Sequence, residues 1–161
     1  MMHIRDILKL KGDTIYSIAP SGPLSQAVSM MVRHDVGSLV VMSQGVMVGM
    51  VTFREVLAAL DAAGGALGQR SVEEVMVRDP ARGKPDDTVD QMRTLMTELH
   101  VRYLPIMEGD RLLGVLSFHD VARAALKAAS FENRLLKQYI KNWPEPDAAG
   151  DRAAIPPTTD R

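Results

Sequence analysis

The chain has 161 residues, 46% of them apolar, with 19 basic against 20 acidic side chains and a net charge of −1. That balance lacks the strongly basic footprint of a phosphate-backbone binder, so no nucleic-acid partner is expected. The absence of cysteine excludes disulfides, thiolate nucleophiles and Cys-ligated zinc. No apolar run approaches the roughly 18 residues of a membrane helix, so no membrane partner is expected.

Residues 1–6 carry an acid and no long apolar stretch, so no export signal is expected and the cytoplasm is the expected compartment. Ile4, Ile7 and Leu8 have helical spacing and predict a short helix ending at Gly12. Residues 14–18 are rich in strand formers and stop at Pro20. Ser21, Gly22 and Pro23 then read as a cap with proline in the first helical turn. The helix that follows places Leu24, Ala27, Val28, Met31 and Val32 on one face. Residues 39–42, a turn at 43–45 and residues 46–51 predict a hairpin. Its strands are almost continuously apolar, as expected when both faces are covered. A second helix starts near Thr52 and runs through Leu60, and residues 62–69, with three glycines, read as a connector.

The same order then returns. Pro20, Gln26, Met31, Leu39, Met42, Gly49 and Phe53 match Pro85, Gln91, Met96, Leu104, Met107, Gly114 and Phe118, every pair 65 residues apart. This period is too long for a one-layer solenoid and suits a two-layer βαββα unit. Asp86 and Asp87 are expected to cap a helix carrying Val89, Met92, Met96 and Leu99, before a hairpin over residues 104–107 and 112–116. Its opening strand is degraded, with residues 81–84 standing where the first copy has residues 16–19. The expected class is α/β, in the α+β sense, with two βαββα repeats about a pseudo-two-fold axis plus a C-terminal helix. The boundaries are 1–65 for the first repeat with its N-terminal helix, 66–125 for the second and 126–143 for the helical extension. Residues 144–161 are expected to be a disordered tail. Leu135, Leu136, Tyr139, Ile140 and Trp143 make an apolar stripe before Pro144, too apolar to stand free in water. It must dock on its own module or pair with another subunit, and a homodimer is the favoured expectation.

The sharpest motifs sit where each hairpin meets its second helix, at residues 49–55 and 114–120. A hydroxyl residue, Thr52 or Ser117, leaves a buried strand, and an acid, Glu55 or Asp120, follows three residues later. Alone this is a capping box. Duplicated about an axis, it can flank a cleft in which helix-start amides meet a phosphate and the acid meets ribose hydroxyls. The four histidines have no ligand spacing, so no metal is expected. His119 beside Asp120 resembles an acid/base pair but has no nucleophile or oxyanion device with it, so no catalytic residue is assigned. The methionines read as core filling, and Gly49 and Gly114 as strand positions of close backbone approach.

Residues 101–107 and 113–120 resemble a cystathionine-β-synthase (CBS) domain, and residues 36–42 through Glu55 resemble its partner repeat. Together, over roughly residues 5 to 125, they resemble a tandem pair, or Bateman module, of the small stand-alone bacterial type. The resemblance implies a regulatory sensor, not an enzyme, with adenosine ligands between the repeats: AMP foremost, with ATP, ADP, NAD and S-adenosylmethionine as alternatives. It implies a main cleft of Lys11, Gly12, Ile15, Tyr16, Val36, Gly37, Ser38, Ser117, His119 and Asp120. There Asp120 would hold ribose, Ser117 phosphate, and the backbone at residues 36–38 and around Tyr16 the adenine. A weaker cleft would take Thr52, Arg54, Glu55, Val77, Ala81, Val101, Arg102 and Tyr103. Glu55 departs from the family's aspartate there, and its extra methylene displaces the carboxylate by about 1.5 Å, enough to disturb a two-oxygen contact. The regulated protein partner is not identifiable from sequence. A small nucleotide-acting enzyme using His119 and Asp120, or a ligand-free interaction module, are the competing readings.

Overall fold

The computed structural model of the chain describes residues 1–12 and 14–142. The expectations for Trp143 and for residues 144–161 lie outside these. The elements are α1 (Ile4–Lys11), β1 (Ser17–Ile18), α2 (Leu24–His34), β2 (Ser38–Ser43), β3 (Val46–Thr52) and α3 (Phe53–Ala62). A 3-10 turn (Val72–Glu74) leads to α4 (Val89–Leu99), β4 (Tyr103–Glu108), β5 (Arg111–Ser117) and α5 (Phe118–Lys141). Residues Met1–Ala128 form one compact unit, and the described residues from Ala129 to 142 belong to a second.

β1 runs parallel to β2, which pairs antiparallel with β3, and β4 and β5 form the second hairpin. The 65-residue period holds at the level of backbone geometry. Ile18 pairs with Val41, and Gly83 pairs in parallel with Ile106. Each hairpin carries a register shift at the same place, between Val41 and Met42 and between Ile106 and Met107. Asp35 and His100, at the ends of α2 and α4, both adopt the left-handed conformation.

Several local expectations are corrected. The first strand is confined to Ser17 and Ile18. The degraded strand survives as one bridge, in which the Gly83 amide donates to Pro105 O at 3.0 Å and Gly83 O accepts from Met107 at 2.9 Å. A Cβ on Gly83 would lie 2.3 Å from Met92 Cε and 2.7 Å from Ile106 Cδ1, so the ends of these two side chains close over that glycine. The cap of α4 is Thr88, whose hydroxyl accepts the Gln91 amide at 3.1 Å while Gln91 returns a bond to Thr88 N at 2.9 Å. Asp87 instead accepts the Lys84 amide in the preceding turn, at 2.8 Å. Pro23 is the residue before α2 rather than its first turn, and the Leu24 amide is satisfied by Arg70 O at 2.8 Å. Val32 (77% exposed) and Leu99 (46%) lie at the ends of the apolar faces on which periodicity placed them, and remain open to water.

Alternation along the strands divides the apolar side chains among three clusters. Leu39, Val41 and Val51 join Leu24, Ala27, Met31, Val56 and Ala59 in one core. Leu104, Ile106 and Leu116 join Met92, Met96, Val121 and Ala124 in the other. The opposite strand faces supply Val40, Met47, Met50 and Met107, with Tyr103 and Val115 against them, to a seam between the copies. Both faces of the hairpins are therefore covered, which accounts for their continuous apolarity.

The leading segments are exchanged. α1 precedes the first copy in sequence but buries Ile4 and Ile7 in the second copy's core. Its entry is fixed by Ile4 N to Asp87 O and Arg5 N to Pro85 O, both 2.9 Å. Conversely, Val72 and Met76 of the linker lie in the first core, with Val72 N to Gly22 O at 2.8 Å. Both segments open with an acid reaching back: Asp6 to His3 N at 3.0 Å and Glu74 to Ser71 N at 2.6 Å. In the second unit, Phe131, Leu135, Leu136, Tyr139 and Ile140 of α5 are exposed.

Candidate functional site

Each hairpin runs straight into a helix, and at each junction the backbone turns back against the loop that opens the same hairpin. Phe53 N donates to Gly37 O at 3.1 Å, and Phe118 N to Arg102 O at 2.7 Å. Thr52 caps α3: its hydroxyl accepts the Arg54 amide at 3.3 Å, and Glu55 Oε2 accepts the Thr52 amide at 2.9 Å and also its hydroxyl. Ser117 plays the same part, accepting the Asp120 amide at 3.0 Å while Asp120 Oδ2 accepts the Ser117 amide at 2.9 Å. The capping role is thus filled at both junctions. It also leaves hydroxyl, acid and helix-start amides together at the mouth of a cleft.

Beside Thr52 lies a cleft of about 660 Å³. All eight residues expected there line it: Thr52, Arg54, Glu55, Val77, Ala81, Val101, Arg102 and Tyr103. Asp79 and Pro80, within the expected stretch of residues 77–81, line it as well, whereas sequence reasoning missed Met50, Phe53, Leu57, His100 and Leu104. Phe53 and Leu57 carried a signal, since they are apolar, four residues apart and remain exposed on α3. Asp79 is bonded by Arg82 at 3.5 Å, whereas neither Arg54 nor Arg102 is ion-paired with any carboxylate among the described residues.

Beside Ser117 lies a second cleft, of about 360 Å³. Lys11, Ile15, Tyr16, Val36, Gly37, Ser38, Ser117, His119 and Asp120 line it, together with Thr14, Asp35, Tyr103 and Val115. Gly12 does not: it ends α1, with φ 88° and its amide bonded to Leu8 O at 3.0 Å. The cleft expected from sequence to be the main one is therefore the smaller. Tyr16 stacks on His34 with ring centroids 4.4 Å apart.

Asp120 lies between opposing influences. Burial pushes its pKa up, but the Lys11 ammonium, 2.6 Å from Oδ2, and the Ser117 amide and hydroxyl together bring it below the ordinary value. Tyr103 lines both clefts, and burial holds its phenol above the usual range, with Arg102 opposing and Asp120 adding to the effect. Its hydroxyl rests where a Cβ of Gly37 would stand: that atom would lie 1.8 Å from Tyr103 Oη and 2.5 Å from Phe53 Cε2. Only glycine leaves room there, a reason stronger than the cleft-lining role expected of Gly37.

The CBS domain model matches residues 4–62 and again residues 72–127. The chain belongs to the CBS-domain family. It is a tandem CBS pair of mixed α/β class, with two βαββα repeats about a pseudo-two-fold axis and a C-terminal helix. Among curated relatives, the CBS domain-containing protein YhcV of Bacillus subtilis is 33% identical over 108 residues, covering 67% of this chain and 76% of YhcV. The crystal structure of the CBS-domain containing protein ATU1752 from Agrobacterium tumefaciens superposes with a TM-score of 0.74 at 30% identity, covering 77% of this chain and 99% of that one. The fold also matches CBSX2, solved in complex with AMP, at a TM-score of 0.66 and 22% identity, over 80% of this chain and 99% of CBSX2. Among the described residues, no helix is long and apolar enough to cross a membrane, and no cluster of three potential metal ligands occurs.

Proposed function

We propose that this CBS pair is a regulatory module that binds an adenine nucleotide between its repeats and signals occupancy through conformation or assembly. The observation that carries the reading is the doubled junction: a hydroxyl, an acid and a helix start facing an inter-repeat cleft, twice. Helix-start amides and a hydroxyl suit a phosphate, and a carboxylate suits ribose hydroxyls. The larger cleft is the stronger candidate. It joins apolar walls at Val77, Val101 and Tyr103 to two guanidiniums without a carboxylate partner, Arg54 and Arg102. Such guanidiniums favour AMP, ADP, ATP or NAD, which carry phosphate, over the cationic S-adenosylmethionine. The AMP complex of CBSX2, a protein of the same fold, supports AMP as the first ligand to try.

A ligand tilting the two repeats needs only about 1 to 3 kcal/mol of preference for one arrangement. The exposed stripe of Phe131, Leu135, Leu136, Tyr139 and Ile140 fits a homodimer, through which such a tilt would reach a regulated protein. An acid/base role for His119 and Asp120 fits less well, because the Asp120 carboxylate is already held by Lys11 and Ser117. Calorimetry and thermal shift with AMP, ADP, ATP, NAD and S-adenosylmethionine test the reading. Saturable AMP binding, weakened at least about tenfold (about 1.4 kcal/mol) when Arg54 and Arg102 are both replaced by alanine, is expected. No heat and no thermal shift with any of the five would leave a ligand-free interaction module. Turnover that vanished in His119→Ala would instead make the protein an enzyme.

A further inference from the structure

The two clefts differ in what satisfies one strand carbonyl. In the larger cleft, Met50 O accepts the Val77 amide at 2.8 Å, and Met50 N returns a bond to Val77 O at 2.9 Å. Val115 is the counterpart of Met50, 65 residues on. Its carbonyl accepts the side-chain ammonium of Lys11 instead, at 2.9 Å. An amide has one proton to give, whereas an ammonium has three. The Lys11 ammonium uses a second on Asp120 Oδ2, at 2.6 Å.

That exchange of an amide for an ammonium has a consequence at the acid. Asp120 Oδ2 now accepts from both Lys11 and the Ser117 amide, so both its lone pairs are engaged. Only Oδ1 remains for a diol that would use two oxygens. Glu55, the counterpart acid, likewise has one oxygen engaged twice, by the Thr52 amide and hydroxyl, so the difference between the acids is the cation: Glu55 pairs with none among the described residues. The Lys11 stem also lines the smaller cleft, whose volume is about 360 Å³ against about 660 Å³ for the larger.

We propose that Lys11 decides which cleft fills first: its ammonium is a tethered competitor for the Asp120 carboxylate, and the smaller cleft stays unfilled at nucleotide concentrations that fill the larger. This rests on the nucleotide-binding reading above. Ile4 and Ile7 anchor α1 in the second repeat's core, so the Lys11 end can release Asp120 without unpacking the helix. Filling of the smaller cleft is thereby tied to the last turn of α1, and the module responds to two ranges of nucleotide concentration.

The test is calorimetric titration of the full chain with AMP, with crystals grown in AMP assigning each binding event to its cleft. Wild type is expected to show one tight event in the larger cleft and a second at least about tenfold weaker in the smaller. Lys11→Met keeps the stem and removes the charge, so the second event should tighten about tenfold while the first stays unchanged. Lys11→Arg, which restores a cation, should return the wild-type pattern. A second event unchanged in Lys11→Met overturns the proposal. So does one that weakens, since Lys11 would then be gripping the ligand. Absence of AMP binding in wild type refutes the underlying nucleotide reading and the competitor with it, a result distinct from a filled larger cleft indifferent to Lys11.

Discussion

The two repeats agree in backbone and disagree in chemistry. Strand register, hairpin irregularity and left-handed helix ends recur 65 residues apart. The residues facing the clefts do not: Gly37 stands opposite Arg102 in the alignment of copies, Glu55 opposite Asp120, and the Val77 backbone does what the Lys11 side chain does in the other half. A duplicated fold needs its core and turn geometry kept in both copies. Its clefts tolerate drift, because surface side chains contribute little to packing.

The core half of that comparison predicts the largest effects. Leu39 and Leu104 occupy equivalent, fully buried positions, 1% exposed each. Replacing either by alanine should cost about 2 to 5 kcal/mol in urea unfolding, with similar values for both. A variant of one that left stability untouched would mean that the copies do not share their packing logic. The cleft half is sharper at Gly37. Gly37→Ala drives a Cβ into Tyr103 and Phe53 and should destabilise by about 1 to 3 kcal/mol. Arg102→Gly, at the equivalent position, should change stability by no more than about 1 kcal/mol, chiefly through glycine's backbone entropy. Equal costs at the two sites would remove steric crowding as the reason for the glycine. Smaller still, Thr88→Ala should cost about 1 kcal/mol through loss of the α4 cap. An unchanged urea midpoint would show that the cap is not energetically used.

Acid titration addresses Asp120. Its folded-state pKa is lowered, so the unfolded chain binds a proton more readily, and stability from this carboxylate is present above the ordinary aspartate range. It is lost as pH falls through the lowered folded value. Asp120→Asn should therefore flatten part of the fall in stability as pH drops through and below the ordinary aspartate range. Parallel wild-type and variant curves would mean that the Lys11 pair contributes nothing in solution, as many partly exposed pairs do not.

Much of the fold was legible because a register-true repeat reports on every element twice. The hairpins, the helix order and the two hydroxyl–acid junctions all followed from it. The exchange of leading segments was not, because packing partners are not written in chain order. The equivalent entry residues, His3 with Ser71 and Asp6 with Glu74, are also 68 rather than 65 apart. The grouping of cleft residues was legible through the family resemblance, whereas cleft size was not. Sequence reasoning weighed Glu55 against Asp120 by side-chain length, but Lys11 lies 109 residues from Asp120 and nothing local announces their contact. The crowding of Gly37 by Tyr103 was hidden for the same reason: it is a contact across the seam.

The most direct test is a crystal structure of the protein grown in saturating AMP. The account predicts an adenosine group in the cleft of Thr52, Arg54 and Arg102, with the Lys11–Asp120 pair yielding only where a second nucleotide is present. AMP bound solely beside Asp120 with the larger cleft vacant, or bound outside both clefts, would contradict it.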